Sequence, residues 1–347
     1  ELDNRTHLCV TAEKQCENMA ETRTVMWREF SKNLAHGSGF WWMDLGGGWF
    51  DDPEILREVA VIEKTAAKIR SKPGKSIAEI LLVVDEESIY HTVCNGMFHV
   101  PMMMDMIRNA NLCGAPTDTY RLNDLETLDL SQYKLVVFLN AFQLLPEQWR
   151  RFEARIPKHA TLLWNYAPGI LSPDFSMDNI ENVIGMKVRE RGPVPRPQLL
   201  PEPGSCLAGT EPMRSEIDAD VDYPLLEVVP SDQIRVLARY EDGAIAAASG
   251  QYGGRPVVYG ALPFFGPEHL HRIAALAGCH LYVPANCTVY ADSRFIGIFP
   301  RGDFRNEKLE FQQEVSLESP VTGRREIAVK SVALNLHSKE MEFFAFV

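Results

Sequence analysis

The sequence predicts an α/β protein built on a parallel, flavodoxin-like sheet, with two βα units before it and a small all-β domain after it. Three observations carry this. Short, nearly all-apolar runs at 80–84, 134–139 and 160–164 alternate with helical patterns, as strands buried on both faces do. Residues 1–72 read as loop, helix, apolar run and helix, the order of βα units in a parallel sheet. From Cys287 the apolar period falls to two, with Leu309, Phe311, Val315 and Leu317 on one face, and no helical pattern follows.

Taken in order, residues 11–35 place Cys16, Met19, Ala20, Met26, Trp27, Phe30 and Leu34 at helical spacing, with Gly37 as the stop. Phe40-Trp41-Trp42-Met43-Asp44-Leu45 is an apolar run suited to a doubly buried strand, closed by Gly46-Gly47-Gly48. Asp52-Pro53-Glu54 supplies an N-cap, a first-turn proline and an acidic first turn for a helix reaching Arg70. Ser71-Lys72-Pro73-Gly74 breaks it. The α/β domain then occupies 73–286, with strands at 80–84, 117–121, 134–139, 160–164 and 256–260. Its helices fall at 101–111, 146–156, 177–184 and 267–276, and a hairpin turns at Glu241-Asp242-Gly243. Five prolines (Pro193, Pro195, Pro197, Pro201, Pro203) make 191–204 an extended excursion. Residues 287–347 are the β domain, read as a sandwich.

Length and composition exclude several classes. The 347 residues suffice for two or three domains, and 46% hydrophobic content excludes a disordered chain. The apolar runs are far shorter than the roughly 20 residues of a bilayer span, so no membrane partner is expected. A net charge of −12 without a dense basic cluster argues against nucleic acid and favours a small neutral substrate. Seven dispersed cysteines with no CxxC pair read as free, buried thiols in a reducing, cytoplasmic compartment. The first residue is Glu1 rather than Met, with no signal segment, so a fragment or a processed chain is expected.

The N-terminal segment Glu1-Leu2-Asp3-Asn4-Arg5-Thr6 sets two carboxylates and a guanidinium just before a helix. The next apolar run carries Trp41, Trp42 and Asp44. In a (β/α)8 barrel, catalytic groups sit where strands end and βα loops begin. Indole faces beside carboxylates suit carbohydrate: C–H faces stack on the ring and hydroxyls bond to the acid. The same residues can equally be a chain end and packing aromatics.

These two segments, with the Trp49-Phe50-Asp51-Asp52-Pro53 continuation and the α/β domain after them, resemble the C-terminal part of family 42 β-galactosidases. The resemblance covers essentially the whole chain, and the 41–53 stretch is its most specific part. It implies the last two βα units of a (β/α)8 barrel (1–72), an α/β trimerisation domain resembling class I glutamine amidotransferases (73–286) and a β-sandwich (287–347). It implies that Glu1 is the nucleophile of a retaining glycoside hydrolase, that Arg5, Trp41, Trp42 and Asp44 line the sugar site, and that the enzyme is a homotrimer acting on a carbohydrate such as a β-galactoside. Retaining hydrolysis needs a second carboxyl group about 5–5.5 Å away. Asp3, two residues along one extended segment, does not meet that need, so the 347 residues alone are expected to be inactive. The alternative is a stand-alone, non-catalytic α/β binding or scaffold protein.

Other motifs carry no chemistry. Amidotransferases place a Gly-x-Cys-x-Gly turn after the third strand; here Asn140-Ala141-Phe142-Gln143 follows, and no His-x-Glu succeeds it. His269 and His271 lack a third ligand nearby and read as helix residues. Asp218, Asp220 and Asp222 fail the EF-hand pattern at its sixth and twelfth positions. Gly46-Gly47-Gly48 has no Lys-Ser/Thr after it and is a turn. No metal or cofactor is implied. Met97, Phe98 and His99 with Pro101 and Met102 to Met104 form an apolar cluster suited to a subunit interface.

Overall fold

The computed structural model describes residues 5–10, 16–44, 46–92, 99–192, 197–214, 224–262 and 265–347. The chain divides into two compact units, one of 1–78, 112–116 and 281–347, the other of 79–111 and 117–280. The sequence separates 1–72 from 287–347, whereas compactness joins them.

In the first unit, helix α1 (Met19–Ala35) begins where Asn18, in extended conformation, caps the Glu21 amide at 3.0 Å. The helix expected from residue 11 thus starts later, and 11–15 lie outside the described residues. Helix α2 (Pro53–Arg70) opens as the sequence predicts, with Asp52 capping the Glu54 amide at 2.6 Å. The strand expected over 40–45 is not formed: Trp42 makes a one-residue bridge, 40, 41, 43 and 44 are irregular, and Leu45 lies outside the described residues. The aromatic side chains pack edge-on instead, Trp42 against Phe40 at 5.4 Å and Phe40 against Phe30 at 6.0 Å. Apolar content alone does not hold a strand without a ladder on either side. Among the described residues of 1–72 the regular elements are the two helices and the Trp42 bridge.

The second unit holds β1 (Ile80–Val84), α3 (Glu86–Ile89), α4 (Met106–Asn111), β2 (Thr117–Arg121), β3 (Leu135–Phe138), α5 (Pro146–Arg155), β4 (Thr161–Asn165) and α6 (Met177–Ile184). It continues with β5 (Val188–Arg191), β6 (Gln198–Pro201), β7 (Met213–Arg214), β8 (Leu225–Val228), β9 (Arg235–Arg239), β10 (Ile245–Tyr252), β11 (Arg255–Gly260) and α7 (Pro267–Leu276). The parallel strands run in the order β2-β1-β3-β4-β11, the flavodoxin-like arrangement expected. Beyond β11 the sheet continues antiparallel through β10, β9, β6 and β7, with β8 pairing β10 and β5. Part of the proline-rich excursion is therefore a strand, β6, in which Leu200 and Pro201 pair with Arg239 and Ala238 of β9. Residues 193–196 lie outside the described set.

Returning to the first unit, β12 (Cys287–Asp292), β13 (Phe295–Pro300), β14 (Phe304–Glu318), β15 (Arg325–Leu336) and β16 (Glu342–Phe346) form one antiparallel sheet in the order β12-β13-β16-β14-β15. Irregular register after Glu310 bends β14. In place of a second sheet, one face takes the two N-terminal helices: Met26, Trp27, Phe30, Ile55, Ile62 and Ile69 share a core with Phe295, Phe299 and Phe343. Trp27 lies 4.9 Å from Phe343, and Phe295 stacks on Phe343 at 5.3 Å. Gly297 permits this approach, because a Cβ there would lie 2.8 Å from Ser31 Oγ. The sequence assigns these helix faces to a barrel or to the α/β domain; the last strands of the chain cover them instead.

Between the helices, buried Glu58 accepts from Trp27 Nε1 at 2.6 Å and from Arg23 Nε at 2.8 Å. Removing that carboxylate leaves a buried indole N–H and a half-buried guanidinium without it. Glu58→Ala is expected to destabilise the unit by about 2–4 kcal/mol. Glu58→Gln, which keeps one acceptor, should lose less, and thermal unfolding followed by circular dichroism measures both.

Candidate functional site

The predicted sugar-site residues fall in the first unit. Glu1 and Asp3 lie outside the described residues. Arg5 is half-buried at the head of a segment tied down on two sides. Buried Thr6 donates its hydroxyl to the Trp49 carbonyl, and Thr22 Oγ1 accepts from the His7 amide at 3.0 Å. The N-terminal segment is thus anchored to the loop that carries the tryptophans.

In that loop Trp49 is buried, Trp42 is half-buried between Phe40 and Phe50, and Trp41 leaves 56% of its surface exposed. Asp44 is exposed, with Oδ1 3.4 Å from the Trp49 amide. An open indole face and an acceptor-rich carboxylate within four residues can hold a polyol by stacking and hydrogen bonding. The arrangement brings Trp41, Trp42 and Asp44 together on one loop, with the Arg5 segment fastened to its far end.

A second place to look for chemistry is the carboxyl end of β1 and β3, where crossovers leave in opposite directions and α/β sheets bind ligands. Here the polar groups are consumed internally. Asn140 and Asp85 exchange side chain to backbone bonds at 2.8 Å in both directions. Ser88 Oγ accepts from the Phe142 and Gln143 amides, both at 2.9 Å, and donates to Asp85 Oδ2. Two convergent N–H groups are the makings of an oxyanion hole, and Ser88 fills it. Burial raises the Asp85 carboxyl above its ordinary range, against hydrogen bonds from Ser88 that lower it. Sequence reasoning passed over this lock, although an Asp that caps a helix with a Ser three residues on is a legible capping signal.

Three of the described thiols are poor nucleophiles as well. Burial pushes Cys113 up to about 12 and raises Cys16 and Cys206, which keeps them protonated at neutral pH. His269, which with His271 reads from the sequence as a helix-surface histidine, is instead buried in α7. Burial lowers it from 6.5 to about 4, opposed by the Glu211 backbone. Among the described residues no three His, Cys, Asp or Glu side chains gather as a metal site requires, and no helix is long and apolar enough to cross a membrane. The Asp218, Asp220 and Asp222 triplet and Met97 with Phe98 lie outside the described residues.

Ser88→Ala leaves two buried amides unsatisfied and is expected to cost about 2–4 kcal/mol of stability, read from denaturant unfolding. The histidine sets a pH window. Above 6.5 the His269 imidazole is neutral in native and unfolded chains alike and has no effect. As pH falls towards about 4 the unfolded chain takes up a proton that the native chain resists, so stability drops across that window. His269→Phe should flatten this part of a Tm-against-pH profile.

No family model matches the sequence, and no curated protein does. Solved structures do. The chain is similar to a cold-adapted β-galactosidase from Rahnella sp. R3 over 97% of its own length and 53% of that protein's, at 15% identity and a TM-score of 0.66. A GH42 β-galactosidase from G. stearothermophilus matches over 97% and 52%, at 14% identity and a TM-score of 0.61. An α-L-fucosidase isoenzyme 2 from Paenibacillus thiaminolyticus matches over 93% and 57%, at 12% identity and a TM-score of 0.59. The chain therefore spans about half the length of these proteins. At such identities the likeness is one of fold: a large, mostly parallel sheet and a separate antiparallel sheet, as in the matching parts of glycoside hydrolases.

Proposed function

We propose that this chain is the C-terminal portion of a retaining glycoside hydrolase of the β-galactosidase type. In this reading 1–72 complete a (β/α)8 barrel, 73–286 are an oligomerisation domain and 287–347 a β domain. Residues 40–44 would then gain flanking barrel strands, which accounts for their irregular backbone here. The observation that supports the reading best is the bond from Thr6 to the Trp49 carbonyl. It fastens the chain next to Arg5 to the loop carrying Trp41, Trp42 and Asp44, residues of the kind that a sugar site needs. The fold likeness to β-galactosidases supports it independently.

The chemistry follows from the carboxylates. Glu1 attacks the anomeric carbon and forms a glycosyl-enzyme intermediate, while a second carboxylic acid protonates the leaving oxygen and then activates water. That second group comes from the rest of the enzyme, so the 347 residues alone do not hydrolyse glycosides. Trp41 and Trp42 stack on the sugar, and Asp44 and Arg5 bind its hydroxyls. In this reading the α/β unit, whose switch-point crevice is filled by Ser88, makes the homotrimer contacts through exposed Met104 with half-buried Met103 and His99, while Met102 is fully buried in the core of its own chain. The filled crevice is also what favours the second reading, a non-catalytic scaffold.

In the full enzyme Glu1→Gln should lower turnover of a nitrophenyl β-galactoside by at least about a thousandfold while sugar binding persists. Unchanged turnover removes Glu1 from the nucleophile role. Light scattering should give a trimer; a monomer independent of concentration removes the interface.

A further inference from the structure

Away from both places described above, the second unit contains a cavity of about 320 Å³ between α5, α6, the loop after β4 and the end of β10. That volume is at the lower end of the roughly 300–1,000 Å³ typical of small-molecule sites. We propose that it binds a small neutral polyol, a mono- or disaccharide. The proposal does not rest on the glycosidase reading, since none of its residues belongs to the N-terminal segment.

The wall combines surfaces that a sugar uses. Trp149, packed on Trp164 at 5.0 Å and on Phe138 at 5.7 Å, gives an apolar floor, and Tyr252, 37% exposed, gives an aromatic rim. Ser172 is only 4% exposed, and its hydroxyl has no hydrogen-bond partner in the protein. A buried hydroxyl left without a partner is costly, and a ligand whose binding uncovers this oxygen would supply the missing bond. Glu153 lies 3.8 Å from both Lys158 Nζ and Arg255 Nη2, beyond hydrogen-bond reach of either, so its carboxylate keeps acceptor capacity for O–H donors. Of the lining residues only Arg150 and Glu153 are charged, with opposite signs, so the lining itself carries no net charge.

The wall is also held in shape before any ligand arrives. Tyr252 donates its hydroxyl to the Asn182 carbonyl at 2.7 Å, and Asn179 Nδ2 donates to the Asp174 carbonyl at 2.7 Å. Gly185 ends α6 at φ 71°, and a Cβ there would lie 2.3 Å from the Tyr252 ring, so only glycine lets the rim close down on the helix. Preorganisation of this kind reduces the ordering cost of binding.

The test is a titration of the 347-residue chain with D-galactose, D-glucose and lactose by saturation-transfer NMR, with inorganic phosphate in parallel. Saturable sugar binding is expected with Kd on the order of 1 mM. Glu153→Gln and Ser172→Ala should each weaken it about fivefold, one hydrogen bond's worth. Arg150→Ala, at an exposed position, should weaken it too and covers the case in which Ser172→Ala fails to fold. Ile327→Ala, at an exposed position of β15 outside both places, should leave it unchanged; loss of binding in Trp41→Ala would assign the sugar to the N-terminal loop and overturn the proposal. So would the absence of saturation at about 50 mM sugar, binding of phosphate in place of sugars, or affinity unmoved in every folded cavity variant.

Discussion

The burial of the first two helices on the last strands is the contact on which the first unit depends. Trp27 and Phe30 cannot leave the surface by packing on each other alone; each needs Phe343, hundreds of residues later in the chain. Closing so long a loop costs conformational entropy that grows slowly with length, and the apolar area of several aromatic side chains offsets it. The sheet side of the contact is prepared for it. Gly297 removes a Cβ that would strike Ser31, and the stacked Phe295 and Phe343 present a flat face. The polar side is closed by Glu58, which turns the indole N–H and Arg23 from buried liabilities into a link between α1 and α2.

In the second unit the corresponding constraint is the satisfaction of backbone groups at the carboxyl end of the parallel strands. A flavodoxin-like order creates a crevice between β1 and β3, and its exposed amides are what a bound anion or oxyanion ordinarily meets. Here Asn140 binds the Asp85 backbone in both directions, and Ser88 takes the amides of Phe142 and Gln143. The result is a rigid joint where related layouts keep an opening. A sheet that spends its ligand-binding amides on its own side chains holds its strands in place.

How much of this the sequence revealed follows from what each feature needs. Helix α2 was legible because its signals are local: Asp52, Pro53 and Glu54 lie next to one another, and the cap forms as they imply. The parallel strands were legible because doubly buried strands are short apolar runs, and β1, β3 and β4 are almost wholly buried. Residues 40–44 have the same composition and form only a one-residue bridge at Trp42, because a strand is defined by its neighbours, which local sequence does not supply. β6 errs in the opposite direction: prolines argued against regular structure, yet Pro201 tolerates an edge-like position beside β9. At the candidate site, Trp41, Trp42 and Asp44 do share a loop, as contiguity in sequence requires. The tie from Thr6 to Trp49 was not legible, because a hydroxyl and a distant carbonyl leave no pattern in a sequence.

A fold shared with enzymes named for galactosides and for fucosides cannot itself choose a sugar. The choice has to be made by side chains, and this chain offers two kinds of surface for it. The N-terminal loop sets an open indole beside a carboxylate on irregular backbone, an arrangement whose shape is fixed only when other chain elements surround it. The cavity beside α5 and α6 is complete within its own unit, with its aromatic rim pinned by Gly185 and Asn182 and one buried hydroxyl left unpaired. Preorganised walls hold a ligand without further assembly, whereas an open loop depends on its surroundings to do so. The two proposals therefore separate by context: on the glycosidase reading, sugar recognition at the loop needs the rest of an enzyme around it, whereas recognition at the cavity, as proposed, needs only its own unit.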